Sequence, residues 1–146
     1  MNISVMANFD ASNTNNSKRS NRIYKDLDLD FGRNTTTSDV NKLTDVEAVK
    51  RSVRNLIQTN HFERPFHPEI GGNVRSMLFE PVTPLTALNL QRQVGEVLKN
   101  FEPRANVTQI LARPDLDRNA YNLRISFYVV GSPEPVTVET FLERLR

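Results

Sequence analysis

Apolar side chains recur every third or fourth residue over two stretches of the chain, then every second residue over its last third. In the first stretch Val46, Val49, Val53, Leu56 and Ile57 fall on one helical face. The preceding Thr44-Asp45-Val46-Glu47 has the form of a capping box, so a helix is expected from there to about Thr59. Lys50, Arg51 and Arg54 lie off its apolar stripe, as a solvated face or one that meets a partner. In the second stretch Ala87, Leu90, Val94, Val97, Leu98 and Phe101 form the stripe. Thr83 with Pro84 reads as N-cap and first-turn residue, and the helix should run to about Asn100. Gly95 costs that helix about 1 kcal/mol relative to Ala and leaves room for a close crossing. A shorter helix is expected over 73–79.

The last third reads as strands. The first covers Asn106 to Leu111 and is bounded by the turn signals Arg113-Pro114-Asp115 and Asp117-Arg118-Asn119. Tyr121, Leu123, Ile125, Phe127 and Val129 alternate with polar partners and give the clearest strand. Gly131-Ser132-Pro133-Glu134-Pro135 turns the chain, and Val136 to Leu142 returns. Connections this short make an antiparallel meander. Ahead of the helices, Leu27, Leu29 and Phe31 alternate with Asp26, Asp28 and Asp30. This period of two predicts an extended segment with its apolar face on the core. The loop His61 to Gly72 holds two prolines, two glycines and three large apolar residues. It is either packed on the core or held for a partner.

Upstream of about Arg22 the chain is rich in Asn and Ser, and Ala11 to Ser17 has no apolar side chain larger than Ala. Such a segment cannot offset its ordering entropy, so residues 1–22 are expected to be a flexible arm. That arm either orders on a partner or is a disordered start. Residues 23–146 form the domain. The fold class is α+β: two main helices packed on a C-terminal antiparallel β-meander.

Composition narrows the function. The chain has 146 residues, no Trp and no Cys. The absence of Cys excludes disulfides, thiolate catalysis and cysteine-ligated zinc, and fits assembly in a reducing cytosol. Net charge is only +2, with basic and acidic residues interleaved, which argues against nucleic-acid binding. No apolar run reaches membrane-spanning length, and Met1 to Met6 lacks a signal pattern.

Candidate chemistry is sparse. His61 and His67 lie six apart on a proline-broken loop, which is no common metal spacing. Gly71-Gly72 has no following Lys-Ser/Thr, so it is no phosphate loop. The three alternating Asp lack the glycine and late glutamate of a calcium loop. Glycoside hydrolysis needs two placed carboxyl groups, one with a raised pKa. Glu63, Glu69, Glu80 and Glu102 are candidates, but none has Asp or Cys nine positions on, the spacing of phage-type lysozymes. No metal, cofactor or small-molecule substrate is expected.

Three stretches then form an ordered pattern: Tyr24 to Phe31; Glu63 to Gly71 with Leu78-Phe79-Glu80-Pro81; and Phe101-Glu102-Pro103-Arg104. In this order they resemble the small baseplate wedge subunits of T-even-type contractile phages, the sheath initiators, a family shared with tailocins and type VI secretion baseplates. The resemblance covers about residues 23 to 142. It implies a structural virion protein of the tail baseplate, assembled in host cytoplasm, rather than an enzyme. Its implied partners are other wedge proteins, met at Glu102, Pro103 and Arg104, and the tail sheath protein. Sheath would add a strand to the C-terminal sheet, along Val136, Thr137, Val138, Glu139, Thr140, Phe141 and Leu142. Some family members carry a lysozyme label, which keeps a peptidoglycan-degrading tail lysozyme as the alternative. From the residues alone, Glu102-Pro103-Arg104 reads rather as a plain helix stop with a surface ion pair, and only the resemblance turns it into a contact site.

Overall fold

The computed structural model describes residues 24–144. The expected arm, 1–22, lies outside them. Strand β1 (Lys25–Leu27) pairs antiparallel with β2 (Lys42–Thr44). Helix α1 (Asp45–Gln58), the single turn α2 (Val74–Met77) and helix α3 (Pro84–Phe101) follow. The chain then forms β3 (Ala105–Asp115), β4 (Ala120–Val129) and β5 (Pro135–Glu143), an antiparallel sheet of order β3-β4-β5. This is the expected α+β arrangement, with helices on one face of a meander.

The helices form where the periodicity places them. Ala48, Val49, Val53, Leu56 and Ile57 of α1 are buried, as are Leu90, Val94, Val97 and Leu98 of α3. They meet the inner face of the sheet: Tyr121, Leu123, Ile125, Phe127 and Val129 of β4 with Val136, Val138 and Leu142 of β5. Thr83 caps α3 as expected, its hydroxyl accepting from the Thr86 N–H at 3.1 Å, with Pro84 in the first turn. Gly95 faces Ile110 of β3, and a methyl group there would reach ordinary contact distance, 3.4 Å.

Three local expectations are corrected. The capping box at Thr44 does not form, and Thr44 makes no side-chain cap bond. Asp45 instead takes φ 49° and its carboxylate accepts from the Tyr24 N–H at 3.3 Å, while Glu47 pairs with Lys50 at 2.7 Å. A tertiary contact to the leading segment has replaced the local one.

The leading segment does not lay its apolar face on the core. Leu27, Leu29 and Phe31 are exposed. Asp28 makes the difference: its side chain accepts from Asp30 N–H at 3.1 Å and its carbonyl from Phe31 N–H at 3.0 Å. That turn ends the strand after Leu27. Asp30, expected on a solvated face, pairs with Arg51 of α1 at 2.6 Å.

Strand β3 does not stop before Arg113-Pro114-Asp115 but runs through it. The ladder explains why. Arg104 faces Val130 across a backbone bond of 2.9 Å, and one register shift follows between Val107 and Gln109. Beyond that bulge the alternation turns Leu111, Arg113 and Asp115 toward β4 and Ile110, Ala112 and Pro114 away from it. The missing N–H of Pro114 therefore lies on the free side of an edge strand, where it breaks no ladder bond.

Candidate interaction site

Pro103 sets the corner between α3 and β3. It disfavours helix for Glu102, which leaves α3 at φ −130°, ψ 70°. The Glu102 carbonyl accepts from Ala105 N–H at 3.1 Å, closing a turn with Pro103 in its second position. The turn aims both charged side chains at one another. Arg104 donates from Nε to Glu102 Oε1 at 2.6 Å and from Nη2 to Oε2 at 2.8 Å. Ser52 of α1 donates its hydroxyl to Glu102 Oε2 as well. The Arg104 guanidinium lies over the Tyr24 ring, 5.5 Å from its centre, within cation–π range.

This is no surface ion pair. The Glu102 side chain is 3% exposed and that of Arg104 31%. Burial alone would push the Glu102 carboxyl up, but hydrogen bonds from Arg104 and Ser52 outweigh it and hold the group below the ordinary glutamate value. The same contact pushes Arg104 up. Two of the five guanidinium donors are committed to Glu102. Ser52 and Tyr24 belong to this site without any sequence pattern that assigned them to it.

Ser52 also lines a groove of about 350 Å³ beside the corner, together with Asp26, Leu29, Arg64, Ile70 and Phe101. The leading segment and the 61–72 loop, two of the stretches that carry the family pattern, thus converge next to the third. The loop is packed on the core in part only. Ile70 packs against the core, while Phe62 and Phe66 stand 84% and 97% exposed. Both hold positive φ, 68° and 67°, a conformation uncommon for bulky residues.

The second expected surface, the outer strand of the sheet, is free of the corner. Arg144 N–H donates to Asn119 O at 3.0 Å, one step beyond the pair Ala120 and Glu143. The β4–β5 register has no shift. Even-numbered residues of β5 therefore bond to β4, and Thr137, Glu139, Phe141 and Glu143 turn their N–H and C=O groups outward. The two sheet edges differ. Edge β3 carries the bulge at Thr108, the proline at 114, and a cover from α3, where Gln91 Nε2 approaches Ala112 O at 3.5 Å. Such devices blunt an edge. Among the described residues, β5 has neither a bulge nor a proline after its first position.

The carboxyl groups bear on the hydrolase alternative. Among the described residues, the carboxyls whose pKa clearly departs from the ordinary value are Asp30, Glu63, Glu69 and Glu102, and all four are lowered. A glycosidase general acid needs the opposite shift. His67 contacts Glu69 at 3.1 Å. No helix among the described residues is long and apolar enough to cross a membrane.

Comparison with known proteins bears on the family and the fold. Residues 44–134 match the family of the baseplate wedge protein gp25. The baseplate wedge protein gp25 of Enterobacteria phage T4 is 30% identical over 116 residues, 80% of this chain and 87% of that protein. A Geobacter sulfurreducens protein described as a candidate tail lysozyme shares the fold, with a TM-score of 0.62 at 19% identity over 67% of this chain and 89% of its own. A chain of the anti-feeding prophage baseplate does so with a TM-score of 0.58 at 21% identity, over 84% and 87%. By the extent of the family match and the phage T4 relative, the chain belongs to the baseplate wedge protein gp25 family.

Proposed function

We propose that this protein is a structural subunit of a contractile-tail baseplate that binds wedge partners at the Glu102-Pro103-Arg104 corner and receives a strand of the tail sheath along β5. The observation that carries the reading is the asymmetry of the sheet. One edge is bulged, proline-bearing and covered, while the other offers an unbroken row of outward backbone groups. An added strand would gain main-chain hydrogen bonds there, with side chains fixing its register. At the corner, the buried Glu102 holds the Arg104 fork in one orientation, so that its remaining donors meet a partner preorganised. Phe62 and Phe66, exposed on the loop whose Arg64 and Ile70 line the adjacent groove, are candidate apolar anchors for a partner.

The ladder supplies a clean test. Proline at Thr137 or Glu139 removes an outward N–H without touching the bonds to β4. Thr137→Pro and Glu139→Pro proteins should fold and enter baseplates that then fail to seed sheath. Thr140→Pro, which removes a bond to β4, should destabilise the domain itself. Normal sheathed tails from both outward variants would refute strand addition at β5. Clear loss of turbidity of purified peptidoglycan on adding the protein, abolished by Glu102→Gln, would refute the purely structural reading.

A further inference from the structure

On the baseplate reading above, we propose that Phe62 and Phe66 are two preset anchors that seat in apolar hollows of one neighbouring baseplate protein, with Arg64, between them in sequence, meeting a carboxylate there. Both rings stand almost wholly in solvent, so they give the domain little burial. Both residues also hold left-handed backbone, φ 68° and 67°, which a bulky side chain adopts only under constraint. Among the described residues no packing of either ring offsets that strain.

The loop itself supplies the constraint. Its ends are closed twice, by Phe62 N–H donating to the Pro68 carbonyl and Gly72 N–H to the Thr59 carbonyl, each at 3.0 Å. Asn60 donates from its backbone N–H and from Nδ2 to the Glu63 carboxylate at 2.9 and 2.7 Å. His67 N–H donates to the Arg64 carbonyl at 3.3 Å, across Pro65 and Phe66. Ile70 ties the far end to the core. A segment braced in this way holds its rings before any partner arrives, so docking orders little that was free. Large aromatic side chains are also the ones that dominate interface energies. A fixed orientation suits a shaped protein surface, whereas a fluid lipid surface requires none.

Charge narrows the partner. Glu63 is engaged by Asn60, and Glu69 contacts His67 at 3.1 Å. The Arg64 side chain makes no hydrogen bond or ion pair among the described residues. The loop therefore presents an uncommitted cation beside its two rings, and its planar fork of donors fits a carboxylate. A partner surface with an acidic group at the rim of its hollows complements it, and a basic one is repelled.

Competition for assembly tests this. The unmodified full-length chain and a variant are expressed together in cells that build the native tails but lack their own copy of this chain. The ratio of the two in purified baseplates is compared with their ratio in the soluble pool. Phe62→Gly with Phe66→Gly should be depleted from baseplates about 10-fold or more, although its urea midpoint is no lower than that of the unmodified protein. Arg64→Glu should be depleted as well, by about 10-fold. Undepleted incorporation of either variant, with the unmodified chain present in baseplates, overturns the proposal and leaves the baseplate reading standing. A lower urea midpoint for the glycine pair also overturns it, because the rings would then be packed within the chain. Absence of the unmodified chain from baseplates overturns both. A dimer of the purified chain that the glycine pair abolishes assigns the rings to a second copy and overturns the proposal too.

Discussion

Arg104 grips both carboxylate oxygens of Glu102, two residues before it, through Nε at 2.6 Å and Nη2 at 2.8 Å. The carboxylate is buried and the guanidinium is not. The pair is thus stabilising inward and available outward at once, and variants of its two members have different effects.

Arg104→Ala strands a buried carboxylate. It should lower the unfolding free energy by about 3 kcal/mol, the low end for a broken buried pair because Arg104 is partly solvated. Glu102→Gln combined with Arg104→Met removes both charges and should recover most of the loss. Urea unfolding midpoints of the two proteins decide it. Equal losses would mean that the charge on Glu102 does not matter.

Acid should weaken the corner. In the unfolded chain Glu102 titrates near the ordinary value of about 4.3, and in the fold it titrates lower. Its contribution is therefore complete above the unfolded value and is lost as pH falls through the folded one. The stability difference between the unmodified protein and Glu102→Gln should be full at neutral pH and shrink as pH falls below about 4.3. Asp30, Glu63 and Glu69 also titrate low, but they are present in both proteins and cancel in the comparison. Melting temperatures of both proteins across that range give the answer.

Gly71 is held at φ 126°, and a Cβ there would stand 2.7 Å from the Thr59 carbonyl oxygen. Gly71→Ala combines backbone strain with a clash against backbone that cannot move aside. It should cost about 2–4 kcal/mol, read from the shift in urea midpoint.

Gly95 is the contrasting case. It lies in the middle of α3 with Ile110 Cδ1 at 3.4 Å from a built Cβ. Gly95→Ala should raise stability by about 0.5–1 kcal/mol through helix propensity, seen as a higher melting temperature.

The helices and the meander were legible because long runs keep one period, as in Val46 to Ile57 and Tyr121 to Val129. Where one residue decides the local path, the pattern misled. Asp28 turns the chain with its own side chain, so the alternation through Leu29 and Phe31 is not a strand. Pro114 signals a turn, yet only the ladder reveals that its nitrogen faces outward. The corner at Glu102 was legible as a motif and illegible as a site. It is completed by Ser52, fifty residues upstream, which bonds Glu102, and by the Tyr24 ring against Arg104. Neither contact leaves a local signature.

As proposed, this baseplate subunit works through two surfaces, the Arg104 corner and the β5 edge. A residue-resolved electron cryomicroscopy map of the native assembled tail, with this chain traced, tests it most directly. A strand from a sheath subunit should be hydrogen-bonded to Thr137, Glu139 and Phe141, and a neighbouring wedge protein should lie against Arg104. A chain absent from the baseplate, or present with β5 and Arg104 both facing solvent, would contradict it.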